Sequence, residues 1–234
     1  MNYEIKYEPF PVLVMDLNNG EEVQCQSGAM SWMSPNMEMQ TSTGGGLGKL
    51  FGRVFSGEHA FVNKYIAHGN GFIAFSSDFV GKILAVEIKP GQDFVVQKSG
   101  YLASYGNVEQ SVFFQKKLGA AFFGGEGFIM QRFSGSGLVF VEIDGYCEER
   151  QLAAGEKLIL STGYLAAMEA SCSMDVQTVK GAMNVLFGSE NIFHTVVTGP
   201  GKIYIQTKPI AQVAAALKPY FPPPVTTSSS SSSN

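Results

Sequence analysis

What most limits the fold of this chain is a strand–glycine–strand pattern that recurs three times in the same order. In the middle of the sequence, Gly125-Glu126-Gly127 leads through an apolar stretch to Gly135-Ser136-Gly137 and on to Leu138-Val139-Phe140-Val141. Upstream, Gly57-Glu58-His59 leads to Gly69-Asn70-Gly71-Phe72-Ile73. Downstream, Ser189-Glu190-Asn191 leads to Gly199-Pro200-Gly201-Lys202-Ile203. A third landmark stands ahead of each pair: Gly28-Ala29-Met30, Gly100-Tyr101-Leu102 and Gly163-Tyr164-Leu165. The glycines 28, 100 and 163 fall 72 and 63 residues apart, and Glu58, Glu126 and Glu190 fall 68 and 64 apart. Landmarks that share one order and nearly one period predict three units around a common core, related by a pseudo-three-fold axis. Their bounds are about 23–90, 91–154 and 155–208, within one β domain of residues 1–208.

Between the landmarks, residues 83–88, 94–96, 138–143 and 158–160 are short, apolar and bounded mostly by Gly, Pro, Asp or Asn, as strands are. Several are apolar at consecutive positions, which predicts cover on both faces and suits a sandwich or a closed double-stranded β-helix. Pro90-Gly91-Gln92-Asp93 and Ala154-Gly155-Glu156-Lys157 read as turns ahead of strands. Each Gly-x-Gly reads as a turn as well. Residues 3–17 alternate weakly into Asn18-Asn19-Gly20, a hairpin signal with residues 23–26 as the returning strand.

One helix is expected, over 209–220. Pro209 opens it, Pro219 ends it, and Ile210, Val213, Ala214 and Leu217 form its apolar stripe. The Pro- and Ser-rich stretch 221–234 follows as a disordered tail with nothing to bury beyond Val225. The expected class is therefore all-β: a double-stranded β-helix or sandwich of three pseudo-symmetric repeats with one short C-terminal helix.

Composition narrows the function classes. A formal net charge of −4 and only three arginines (Arg53, Arg132, Arg150) argue against nucleic acid, which requires clustered cations. Cys25, Cys147 and Cys172 are an odd set without C-x-x-C spacing, so reduced thiols are expected. There is no signal or transit pattern and no apolar run long enough to span a bilayer, which points to a cytoplasmic location.

Sites of chemistry are hard to find. Gly44-Gly45-Gly46-Leu47-Gly48-Lys49 invites a phosphate-loop reading, but Thr43 and Leu50 stand where that motif needs Gly and Ser or Thr. His59, His68 and His194 lack H-x-H spacing and fall at non-equivalent places, so no metal is expected. Ser136 lacks the frame of a nucleophile elbow. Met30, Met33, Met37 and Met39 read as core filler. The recurring Glu58, Glu126 and Glu190 read as structural carboxylates that accept hydrogen bonds from turn N–H groups. The candidate interaction surface is Leu47, Lys49, Leu50, Phe51, Arg53, Val54 and Phe55. These residues are too apolar for a solvated loop, and the two cations at i and i+4 suit a partner's carboxylates or a lipid surface. No catalytic or cofactor-binding residue emerges.

Gly28-Ala29-Met30, the insertion ending in Ser56-Gly57-Glu58, Gly100-Tyr101-Leu102-Ala103, Phe123-Gly124-Gly125-Glu126-Gly127 and Gly199-Pro200-Gly201 with Ile205-Gln206-Thr207 together resemble the altered-inheritance-of-mitochondria 24 family. The resemblance covers about residues 3–208. It implies a double-stranded β-helix akin to the tryptophan RNA-binding attenuation protein, frequent oligomerisation, and for eukaryotic members a mitochondrial location. It carries over no catalytic residue and no cofactor. Ser189-Glu190-Asn191 departs from the family's Gly-Glu-Gly, and a mitochondrial presequence is lacking. The function expected first is a non-enzymatic, homo-oligomeric scaffold or interaction protein, with residues 44–56 meeting a membrane surface or protein partner. An RNA-binding module by fold analogy, and an enzyme with a small-molecule pocket, are the alternatives.

Overall fold

The computed structural model describes residues 1–41, 62–116, 127–178 and 193–221. In chain order the strands are β1 (Asn2–Lys6), β2 (Val12–Leu17), β3 (Glu22–Gln26), β4 (Met30–Met33), β5 (Met37–Thr41), β6 (Val62–Ala67), β7 (Gly71–Ser76) and β8 (Gly81–Ile88). They continue as β9 (Phe94–Gln97), β10 (Tyr101–Lys116), β11 (Phe128–Asp144), β12 (Cys147–Leu152) and β13 (Lys157–Ser161). The last four are β14 (Leu165–Glu169), β15 (Ser173–Thr178), β16 (Phe193–Thr198) and β17 (Gly201–Gln206). Among the described residues α1 (Ile210–Leu217) is the one α-helix, so the fold is all-β with a short C-terminal helix.

Every pairing is antiparallel. In residues 12–76, β7 lies between β2 and β4, and β6 lies between β3 and β5. In residues 81–144, the C-terminal half of β11 lies between β8 and the start of β10. Its N-terminal half lies between β9 and the end of β10. In residues 147–206, β17 lies between β12 and β14, and β16 lies between β13 and β15. Neighbouring segments are stitched together by β3 with β10 and by β9 with β14. None of the resulting sheets closes on itself among the described residues.

The cores follow the stitching. Leu13, Met15, Ile73 and Phe75 of the first segment enclose Leu102 and Phe140 of the second. Leu165, Met168 and Ile203 of the third pack with Val95, Phe128 and Met130 of the second. A third cluster of Tyr101, Phe133, Val139 and Val141 reaches Ala166 and Ala167. Each cluster therefore draws on at least two segments, and removing one of them would expose apolar surface at about 25 cal/mol per Å².

Two expectations about turns fail, each for a physical reason. Gly135-Ser136-Gly137 is no turn: β11 runs through it for 17 residues. The glycines serve a close crossing instead, because a Cβ on Gly135 would lie 2.2 Å from the Asn107 carbonyl oxygen and one on Gly137 would lie 2.2 Å from that of Tyr105. Asn18-Asn19-Gly20 does form a turn, closed by Glu21 N–H donating to the Asn18 carbonyl at 3.0 Å. It does not make a hairpin, because β2 and β3 turn to β7 and β6. The expected turns at Gly91 and Gly155 are present, with Gln92 N–H donating to Lys89 and Glu156 N–H to Ala153. Of the four methionines read as core filler, Met37 is buried and Met30 and Met33 half-buried, but Met39 is 47% exposed.

Candidate functional site

Seven strands pair with one neighbour alone among the described residues, namely β1, β4, β5, β8, β12, β13 and β15, and two of these open edges stand out. β4 pairs with β7 alone, and β13 pairs with β16 alone. Two other strands meet a neighbour from another segment. β10 meets β3 through Ala103↔Cys25, Ser104↔Gln24 and Tyr105↔Val23. β14 meets β9 through Ala167↔Val96, Met168↔Val95 and Glu169↔Phe94. β4, β10 and β14 share an irregular step in register, between Met30 and Trp32, Tyr101 and Ala103, and Leu165 and Ala167. The residue after that step is Trp32 in β4, Ala103 in β10 and Ala167 in β14. Those alanines are fully buried, whereas Trp32 is 45% exposed.

β13 shows the same contrast. By its register against β16, Ser161 ends β13 where Gln26 ends β3 and Gln97 ends β9. Ile159 then takes the place of Val95, which is fully buried, yet Ile159 is 63% exposed. The run Leu158-Ile159-Leu160 was expected to be covered on both faces, and in this structure it is not. As an edge strand it has no second strand neighbour among the described residues and carries an apolar side chain there, a combination that soluble proteins seldom leave open.

A cavity of about 580 Å³ lies between the ends of β3 and β9, the face of β11 and the start of α1. Five glutamines line it: Gln26, Gln97, Gln110, Gln131 and Gln206. Gln206 is buried, and its Nε2 donates to the Gly163 carbonyl at 2.7 Å and to Gln97 Oε1 at 3.3 Å. Its Oε1 accepts from the Asp144 N–H at 3.1 Å. The Asp144 carboxylate accepts the Ile210 N–H at 2.7 Å and so ties the first turn of α1 to the end of β11. Burial pushes the Asp144 carboxyl above its ordinary range, and the Ile210 bond opposes that shift. Tyr101 contributes a buried ring, stacked on Phe133 at 5.2 Å with its hydroxyl held 2.9 Å from Ser104 Oγ. α1 buries none of its residues; Ile210 and Leu217 of its apolar stripe are exposed at 44% and 46%.

The surface expected from Leu47, Lys49, Leu50, Phe51, Arg53, Val54 and Phe55 lies outside the described residues, as do Glu58, Glu126 and Glu190. His68 pairs with Glu38 at 2.6 Å on the surface. All three cysteines are free thiols; burial pushes Cys25 up to about 12. Among the described residues no three His, Cys, Asp or Glu side chains come together as a metal site. No helix among them is long and apolar enough to cross a membrane. Neither the open edges nor the cavity was singled out in the sequence. The glutamines are ordinary residues scattered from 26 to 206, and an edge strand carries the same apolar signature as a central one.

The arrangement of sheets defines a fold already seen in a crystal structure of a Streptococcus pyogenes protein, with a TM-score of 0.79 over 94% of this chain and 99% of that one at 24% identity. The model of the family described as "Mitochondrial biogenesis AIM24" matches residues 3–208, and the chain belongs to that family. An uncharacterized protein of Streptococcus pyogenes serotype M6 is 29% identical over 222 residues, which is 91% of this chain and 88% of that relative.

Proposed function

We propose that the protein is a non-enzymatic, self-assembling scaffold built from three copies of one β unit, in which β13 of one molecule pairs with β4 of the next. The observation that carries this reading is the internal stitching. Within the chain, a strand of the second segment adds to β3 and a strand of the third adds to β9, in the same register. The same step, taken from the third segment of one molecule to the first segment of another, would use two of the open edges, β13 and β4. Extending the register sets Trp32 opposite Leu160 and Met33 opposite Ile159. Pairing would cover both Trp32 and Ile159 and extend the strand ladder across the two edges. Because the two edges differ, the contact is heterologous, giving a ring if its rotation closes and a filament if it does not.

Sedimentation velocity on the full chain tests this. The parent should sediment as an oligomer. Ile159→Lys places a charge on the edge strand, a device that blocks strand addition, and should sediment as a monomer with an unchanged circular dichroism spectrum. A parent that is monomeric at micromolar concentration, or a variant of unchanged mass, contradicts the proposal.

A further inference from the structure

We infer that the glutamine-lined cavity binds an uncharged purine base or nucleoside, a function independent of assembly. The first ground is where the polar imbalance falls. Three buried side-chain polar atoms among the described residues have no hydrogen-bond partner: Gln26 Oε1, Gln131 Oε1 and Arg132 Nε. Two of the three belong to residues that line this one cavity. A buried acceptor left without a donor is costly, and it calls for a partner from outside the chain, water in the free protein or a ligand in its place. Gln97 and Gln206, in the same wall, are tied to one another, and Gln206 also to backbone, whereas the Oε1 atoms of Gln26 and Gln131 accept no hydrogen bond within the chain.

The second ground is chemical fit. A glutamine amide presents an acceptor and donors on one planar edge. The N6 amino and N7 of adenine present the complementary donor and acceptor, which is why Gln and Asn read that base in pairs of hydrogen bonds. The terminal torsion of Gln is broad, so turning Gln26 and Gln131 toward the ring needs no backbone change. The Tyr101 ring, Ile129 and Ile210 supply an apolar wall for the faces of a flat heterocycle. The volume falls within the range of about 300–1,000 Å³ typical of small-molecule sites.

The third ground is charge. The lining carries one Lys and one Asp, Lys98 and Asp144, and no cluster of cations of the kind that holds phosphate. A base or nucleoside fits this balance and a nucleotide does not.

Equilibrium dialysis with adenosine tests the inference. The parent should retain adenosine and bind AMP at least tenfold more weakly, at an order of magnitude set by one lost or repelled polar contact. Gln26→Leu and Gln131→Leu should each weaken adenosine binding tenfold or more, while melting no lower than the parent, because each removes an unpartnered buried oxygen. The assembly variant Ile159→Lys should bind adenosine as the parent does, which keeps this result separate from the scaffold reading. Should either leucine variant misfold, the side-chain amide resonances of the parent decide: adenosine should move a small set of glutamine NH2 signals. No adenosine retained at millimolar concentration, AMP bound as tightly as adenosine, or full retention by folded leucine variants would each overturn the inference.

Discussion

The Glu142 carboxylate accepts a 2.7 Å hydrogen bond from the Ser77 hydroxyl and so fastens β11 of the second segment to the turn that follows β7 of the first. It also accepts the Asp78 N–H at 2.8 Å. Burial pushes Glu142 up to about 7 despite both bonds, and the nearby charges of Asp78 and Asp144 add to the rise. The folded protein therefore holds this proton more tightly than the unfolded chain, whose carboxyl titrates near 4.5. Glu142 favours folding fully below about 4.5, and that contribution is lost as pH rises to about 7, a total of about 3 kcal/mol at one unit per 1.36 kcal/mol. Glu142→Gln should remove the slope. In urea titrations the variant should gain about 1–3 kcal/mol on the parent at pH 8 and little at pH 4.

Glu21 works with the opposite sign. It accepts the Asn18 N–H at 2.7 Å, the Tyr105 hydroxyl at 2.7 Å and the N-terminal ammonium at 3.0 Å, which together hold it down to about 2. Its contribution is present above about 4.5 and is lost as pH falls toward 2, so acid weakens this link. Tyr105→Phe removes the bond that joins β10 to the turn before β3. The expected cost is about 1 kcal/mol at pH 7, lessened by the solvent around Glu21, and smaller at pH 3. Paired thermal melts at the two pH values check it.

The crossing of β10 and β11 is the least forgiving backbone site. Gly135→Ala would set a methyl 2.2 Å from the Asn107 carbonyl oxygen at a residue whose φ is +105°. The expected loss is about 2–4 kcal/mol, or failure to fold. Gly91→Ala is the control: its φ is +78° but nothing lies within 4 Å of the added methyl, so about 1 kcal/mol is expected. Equal losses at the two positions would mean that the crossing carries no special strain.

Much of the β framework could be read directly, because strands and turns announce themselves locally. Residues 83–88, 94–96 and 158–160 fall in β8, β9 and β13, and the landmarks Gly28, Gly100 and Gly163 stand just ahead of β4, β10 and β14. What was not legible depends on partners distant in sequence. Gly135-Ser136-Gly137 carries a turn signal, but the glycines answer to the backbone at Tyr105 and Asn107. Asn18-Asn19-Gly20 gives the turn yet says nothing of β7 and β6, which claim the strands on either side. Leu158-Ile159-Leu160 reads as a covered strand, and its exposure shows only once β13 is found at an edge. The cavity had no sequence signal, since Gln26, Gln97, Gln131 and Gln206 converge only through the stitching of β3, β9, β11 and β17.

The most direct measurement of the assembly account is a cross-link in its stated register. Met33→Cys and Ile159→Cys, each carrying Cys147→Ser to remove the one cysteine that is not buried, should be prepared separately, mixed and oxidised. Directly opposed residues in an antiparallel pair have Cα atoms about 4.5–5.5 Å apart, within disulfide reach. The account predicts an intermolecular disulfide joining one variant to the other, with neither variant alone forming it to a comparable extent. It is contradicted if the mixture stays uncross-linked, or if a chain carrying both cysteines closes the disulfide within a single monomer.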